Sequence, residues 1–255
     1  MTSIPNKYHW ILLLPLLALW SCKDEGFKPD RIKGEQIPVH QNIEESKTIT
    51  DFIAPYKKSV DIQMDSVLAH TPQSLSKKDS QFNTAIGNMM ADAVLEMTNP
   101  IFQSRTGYPF NAVLLNYGGI RSTLNEGDIT TRTAYEIMPF ENEVIVVELS
   151  GATMKKLFEY LAHGTAHPIA GMSLVLNNDG TIKEQLVQGE TIVDNNTYFI
   201  ATSDYLQNGG DNMTFLTNPI SKLPLDYKIR NVLIDYFKKH DTIVPVRDER
   251  FIKLD

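Results

Sequence analysis

The chain has 255 residues, 42% of them hydrophobic and 22% charged, and carries a formal net charge of −7. That balance describes a globular protein with a substantial core and excludes an intrinsically disordered chain. The acidic excess excludes a general binder of nucleic-acid polymers, which needs a basic face to displace counterions from phosphates, so any anion bound here must be held by local positive groups.

In chain order, the first element is Lys7 followed by the apolar run "WILLLPLLALW", too short and too interrupted by Pro15 to span a bilayer comfortably. Residues 1–21 read as an export signal that ends in "LWSC", with the lone cysteine, Cys22, at its boundary. The arrangement resembles a bacterial lipoprotein signal, in which the thiol is lipidated and becomes the new N-terminus, although Trp20 is bulkier than that pattern usually shows. A conventional secretory signal and a chance buried thiol are the alternatives. The "KDE" after Cys22 resembles the acidic signal that sends some lipoproteins to the outer face of the outer membrane. The expected location is therefore the cell envelope, lipid-anchored in a bacterial outer membrane. A single cysteine permits no internal disulfide.

Residues 22–47 are polar and carry Gly26, Pro29, Gly34 and Pro38, the composition of a tether. One folded domain is expected over 48–255, since no composition break or repeat interrupts it. Ile86, Met89, Met90, Ala93, Val94 and Met97 recur at helical spacing, and Pro100 is expected to stop that helix. A second helix runs from a Ser150 N-cap through Met154, Leu157, Phe158, Leu161 and Ala162 to Gly164. A third carries Ile229, Val232, Leu233, Tyr236 and Phe237 between Asp226 and His240.

Between the helices lie β-like runs at Ala112–Leu115, Val144–Leu149, Met172–Leu176, Ile182–Val187 and Tyr198–Thr202. "NNDG" at Asn177 to Gly180 reads as a hairpin turn between two of them. The expected class is α+β, a mixed sheet with helical layers.

Reactive motifs are scarce. The sequence contains no GxSxG elbow, P-loop, GxGxxG fingerprint or HExxH helix. His163 and His167 have the i, i+4 spacing of a metal pair, but Gly164 and Pro168 break the helix, so a solvated helix-end loop is the expectation. No metal site is expected in this chain.

Three segments have the make-up of a recognition site instead. In "NYGGIR", Gly118 and Gly119 permit unusual dihedrals or close approach of a ligand to the backbone, while Asn116 and Arg121 offer directional hydrogen bonds and charge. In "IMPFENE", Phe140 sits among polar residues just before a strand. In "TSDYLQNGGDN", Tyr205 leads into Gly209, Gly210 and Asp211. Each has a plain alternative: a strand-to-turn glycine pair, a peripheral core plug and an acidic turn. Together, two aromatic rings can sandwich a planar base, with Asp211 accepting from ribose hydroxyls and Asn116 reading a base edge.

"LLNYGGIRSTLNEGDIT", "EIMPFENEVIVVELSG" and "YFIATSDYLQNGGDN", preceded by "AIGNMMADAV", resemble the C-terminal domain of the 5′-nucleotidase family, from about Ala85 onward. In that family this domain binds the nucleoside between two rings, and a preceding metallophosphatase domain holds two metal ions and hydrolyses the phosphate. The resemblance implies Phe140 and Tyr205 as the stacking rings, Asn116 as a base contact, Asp211 as the ribose contact and Arg121 as a ribose or phosphate contact. The glycines would let a nucleoside lie against the backbone. Tyr205 replaces the family's usual Phe, and Phe82 stands where an arginine that helps hold the phosphate is expected.

Too few residues precede Ala85 for the metallophosphatase domain. The leading expectation is thus a recognition domain that completes a split enzyme with a separate chain carrying divalent metal ions. A surface nucleoside-binding lipoprotein without hydrolysis, and a structural or interaction lipoprotein with a vestigial pocket, are the alternatives.

Overall fold

The computed structural model describes residues 31–40 and 42–255, and two compact units divide at Thr50. The expected signal run and Cys22 lie outside the described residues. Residues 31–40 are exposed and without regular secondary structure.

The helix expected to stop at Pro100 continues to its capping glycine. Ala85–Thr106 (α2) contains Pro100 and ends at Gly107, whose φ of 88° closes a left-handed cap. A proline removes one backbone donor, and burial of Thr98 and Phe102 on either side holds the helix through that gap. Its start is fixed by Thr84, whose side chain accepts from the Gly87 N–H. The other two expected helices form as Gly151–Ala162 (α4), capped by Ser150, and Ile229–Lys239 (α6).

An additional helix, Lys47–Met64 (α1), places no residue in the core. Folding as a helix therefore begins near the expected position, whereas burial begins only at the following strand, Val67–Thr71 (β1).

The central sheet orders five strands as β10-β4-β9-β2-β5: Ser221–Lys228, Glu143–Ser150, Thr197–Ser203, Ala112–Leu114 and Ile169–Ala170. β2 runs parallel to β9 and the other pairs are antiparallel, so the sheet is mixed as expected. Both of its faces are covered, which explains why its inner strands read as continuous apolar runs. Val113, Val144, Val146 and Ala201 face one core with α2 and α6. Ala112, Leu114, Val147, Leu149 and Ile200 face a second core with α4.

That second core is closed by another sheet, in the order β11-β6-β7-β8. Its strands are Phe251–Lys253, Met172–Leu176, Ile182–Val187 and Glu190–Thr191. The Asn177–Gly180 turn joins β6 to β7 as expected, with Gly180 at φ 86° and Asp179 accepting from Thr181. Phe102, Phe158, Phe237 and Phe251 are among the largest fully buried side chains, each stabilising by about 1.5–3 kcal/mol on burial. Phe82 packs at 5.1 Å on Phe251, so its ring serves this core. A small pair of β1 with Gly127–Thr130 (β3), then the short helix Thr131–Ile137 (α3), leads to the Phe140 segment.

Candidate functional site

The site forms where three strand ends on the central sheet open into loops. From the end of β2, Asn116 enters a 3-10 turn over Tyr117–Gly119. A Cβ on Gly119 would lie 2.9 Å from Asn116 Oδ1, and one on Gly118 would lie 3.3 Å from Asn116 Nδ2. On their Cβ side these glycines face the Asn116 amide, folded back over its own turn.

From the end of β9, Ser203 caps the four-residue helix Asp204–Gln207 (α5), which carries Tyr205. Gly209, at φ 90°, turns the chain so that Gly210 passes directly under the Tyr205 ring. A Cβ on Gly210 would meet three of that ring's carbons at 2.4–2.6 Å. Asp211 follows at φ 51°, a left-handed conformation that aspartate tolerates.

Asp211 is where the segments meet. Tyr205 Oη donates to Asp211 Oδ1 at 2.8 Å, Asn116 Nδ2 to Oδ2 at 2.9 Å, and Tyr160 Oη, from α4, to the Asp211 carbonyl at 2.8 Å. The Asp211 bond leads the upward shift of the Tyr205 phenol; burial leads that of Tyr160, with Asp211 and Tyr205 adding to it. Both remain protonated donors at neutral pH. Sequence reading singled out Asn116, Tyr205 and Asp211 separately, and the fold joins them.

Phe140 arrives by a different route. The loop between α3 and β4 is gripped by Arg230 of α6, which is only 4% exposed. Its guanidinium donates to the Pro139 carbonyl at 3.3 Å, to the Phe140 carbonyl at 3.2 Å and to the Glu141 carboxylate, and lies 4.1 Å from the Tyr135 ring centroid. Hydrogen bonds from Lys228 and Arg230 hold the Glu141 carboxyl at a pKa of about 2.

Asp204 ties the two ring-bearing segments together. Its Oδ1 accepts from Asn142 Nδ2 at 3.0 Å, from the Glu143 N–H at 3.2 Å and from the Tyr205 N–H at 2.8 Å. Phe140 and Tyr205 are 40% and 44% exposed. Neither has another aromatic ring against it among the described residues. Two exposed rings on braced backbones can accept a planar ligand face.

The positive end of the site is Arg121 with Lys77. The Arg121 guanidinium lies 5.7 Å from the Phe140 ring centroid and reaches the Gly118 carbonyl at 3.4 Å. Lys77 Nζ donates to the Ile120 carbonyl at 2.6 Å and sits 4.5 Å over the Tyr117 ring. Burial first, then the nearby Arg121 charge, pushes the Lys77 ammonium below its usual range. Neither cation meets a carboxylate among the described residues.

His167 corrects an expectation. It is buried rather than solvated, because the loop after α4 folds back against the end of β2. Its Nδ1 accepts from the Tyr117 N–H at 3.2 Å, whereas His163 is exposed. Among the described residues, no three His, Cys, Asp or Glu side chains stand together as metal ligands. His167, Tyr160, Asp204, Arg230 and Lys77 were all missed in the sequence as parts of this site; only His167 was singled out there, and for its spacing from His163.

A cavity of about 430 Å³ lined by Asn88, Asp92, Tyr236, His240, Asp248 and Arg250, among others, shares no residue with this site. Its charges already satisfy one another, Arg250 pairing with Asp92 at 2.8 Å and with Asp248 at 2.7 Å.

Comparison with known proteins bears on the family and the fold. A family model described as the 5′-nucleotidase, C-terminal domain, matches residues 67–218. The chain is 22% identical to a 5′-nucleotidase-related protein of Glossina morsitans morsitans, covering 89% of this chain and 45% of that one. It is 25% identical to an apyrase of Tabanus yao, covering 88% and 44%. In structure it is similar to a 5′-nucleotidase precursor from Thermus thermophilus, with a TM-score of 0.68 and 21% identity over 82% of this chain and 43% of that one. The chain thus spans less than half the length of these relatives.

Proposed function

The chain belongs to the 5′-nucleotidase C-terminal domain family, and from that premise we propose that it is the nucleoside- or nucleotide-recognition part of a 5′-nucleotidase-type phosphohydrolase. The observation that carries the reading is the meeting of Asn116, from the loop after β2, with Tyr205 and Asp211, from the loop after β9, with the exposed Phe140 ring braced beside them. In this reading the base lies between Phe140 and Tyr205, where stacking contributes roughly 1–3 kcal/mol per base. The ribose hydroxyls take up an Asp211 oxygen that now accepts from Tyr205 or Asn116. The 5′ substituent points toward Arg121, with Lys77 in the role that the arginine expected at Phe82 would have had.

The proposal places divalent metal ions, and attack on the phosphorus, on a metallophosphatase domain in a separate chain. This chain contributes binding and orientation of the substrate. It is held at the cell envelope through a lipid on Cys22, in a bacterial outer membrane. Mass spectrometry of the N-terminal peptide from native membranes tests the anchor, and an unmodified Cys22 or a cleavage elsewhere rejects it. Gentle extraction of the tagged chain tests the partner: co-purification of metal-dependent phosphatase activity is expected, and its absence counts against a split enzyme.

A second reading, a lipoprotein with a vestigial pocket, draws on the hydrogen bond that each Asp211 carboxylate oxygen already accepts from within the chain. Calorimetric titration of adenosine and AMP separates the two. Saturable binding that is lost in folded Phe140→Ala and Tyr205→Ala variants is expected; no binding to the intact chain favours the vestigial pocket.

A further inference from the structure

β2 and β5 pair through Val113↔Ala170 and Leu114↔Ile169. The ladder continues one step beyond the strands, with the Leu115 N–H donating to the Pro168 carbonyl at 2.9 Å. At the next donor, the Tyr117 N–H, the acceptor is a side-chain atom, His167 Nδ1. The His167 backbone is itself fixed by its N–H bond to the Thr165 carbonyl at 2.7 Å. An imidazole thus completes the pairing that seats the turn carrying Asn116.

The same ring closes a circuit through the site. Its centroid lies 5.5 Å from that of Tyr160. Tyr160 Oη holds the Asp211 carbonyl, and Asp211 Oδ2 holds Asn116, the residue before Tyr117. A neutral imidazole with Nδ1 unprotonated can accept from Tyr117; an imidazolium cannot, because both its nitrogens are donors.

We propose that His167 is a positioning residue for ligand binding, its neutral imidazole holding the Tyr117–Gly119 turn so that Asn116 stays in register with Asp211. The inference rests on the reading of this site as a nucleoside site. The groups facing the ring are Tyr160 from α4, Tyr117 and the Leu115 carbonyl from the end of β2, and the Asp211 carboxylate beyond Tyr160. Burial lowers the imidazole pKa against the opposing pull of Asp211 and the Leu115 carbonyl. Since the folded-state value lies below the unfolded one, the hold on the turn is complete above the ordinary histidine range. It is lost as pH falls through the lowered value, when Nδ1 carries a proton and can no longer accept from the Tyr117 N–H.

The test is adenosine titration of the full chain from about pH 8 down to about pH 5, alongside His167→Asn and His167→Phe. Asparagine can offer Oδ1 near the place of Nδ1 without titrating in this range, and phenylalanine keeps the ring without an acceptor. The wild type should lose affinity toward acid pH. His167→Asn should bind as the neutral wild type does but without that loss, and His167→Phe should be roughly ten-fold weaker throughout, the effect of one buried hydrogen bond. Hydrogen exchange at the Tyr117 amide, measured without ligand, should follow the same pattern.

Unchanged affinity and unchanged Tyr117 protection in a folded His167→Phe variant would overturn the proposal, as would wild-type binding that is flat while the imidazole titrates. If the wild type binds no adenosine at any pH, the nucleoside reading fails, and with it the binding role of His167. Tyr117 exchange then reports separately whether His167 holds the turn.

Discussion

The two exposed rings of the site are held by opposite means. Tyr205 is fixed almost entirely by its own neighbourhood: Gly209 turns the chain, Gly210 passes beneath the ring and Asp211 takes its hydroxyl. Phe140 is fixed by Arg230, 90 residues further along, whose buried guanidinium grips the Pro139 and Phe140 carbonyls. A local loop can be rigid through glycine geometry and short hydrogen bonds; a loop without such devices needs a donor brought by the tertiary fold. Asp204 then makes one unit of the two.

The largest break of that contrast is expected from Arg230→Met. It removes donors from two backbone carbonyls and a carboxylate and should cost about 2–3 kcal/mol of stability, since the hydrogen bonds of a buried charged donor are lost with it. Chemical denaturation should show that loss, and adenosine binding should fall even where the protein remains folded. Arg230→Lys should recover only part, because an ammonium lacks the planar fork that spans several acceptors.

Gly210→Ala strikes the other ring. Its Cβ would lie 2.4 Å from the nearest Tyr205 ring carbon, so the ring must move, at about 1–3 kcal/mol for overpacking. Thermal melts should register the cost, and the Tyr205→Ala background should relieve most of it. Little relief would mean that the backbone at Gly210, rather than the ring, resists the substitution.

A smaller effect should appear in acid. Glu141 has its folded-state pKa depressed to about 2 by Lys228 and Arg230, so its contribution is present above the ordinary glutamate value and is lost as pH falls through about 2. Glu141→Gln should flatten that part of the stability profile while leaving the Tyr205 loop untouched. Smallest of all for stability is Lys77→Met. It should leave adenosine affinity near wild type and weaken AMP a few-fold, more at low salt than at high, as expected for a partly exposed charge. An equal loss for both ligands would assign Lys77 to the Tyr117 turn rather than to the phosphate end.

Much of the scaffold was legible because it is local or periodic. The α4 stripe, the Ser150 cap, the Asn177–Gly180 turn and the inner strands follow from spacing and turn chemistry. Strand β10 was not, since Pro224 and Asp226 interrupt its pattern; as an edge strand paired only to β4 it tolerates both. Pro100 misled in the other direction, because tertiary burial of Thr98 and Phe102 outweighs one missing hydrogen bond.

Which segments carry polar and aromatic groups on glycine-bearing loops is written in local chain chemistry: Asn116, Tyr205 and Asp211 stand beside the very residues that shape their turns. That Asn116 and Asp211 meet at 2.9 Å, that His167 is buried against Tyr117 and that Arg230 holds Phe140 follow from the folded arrangement alone. Glycine conformations and helical periods act over a few residues and leave a local trace. A hydrogen bond across 50 or 90 residues depends on which strands become neighbours, and no spacing rule records that.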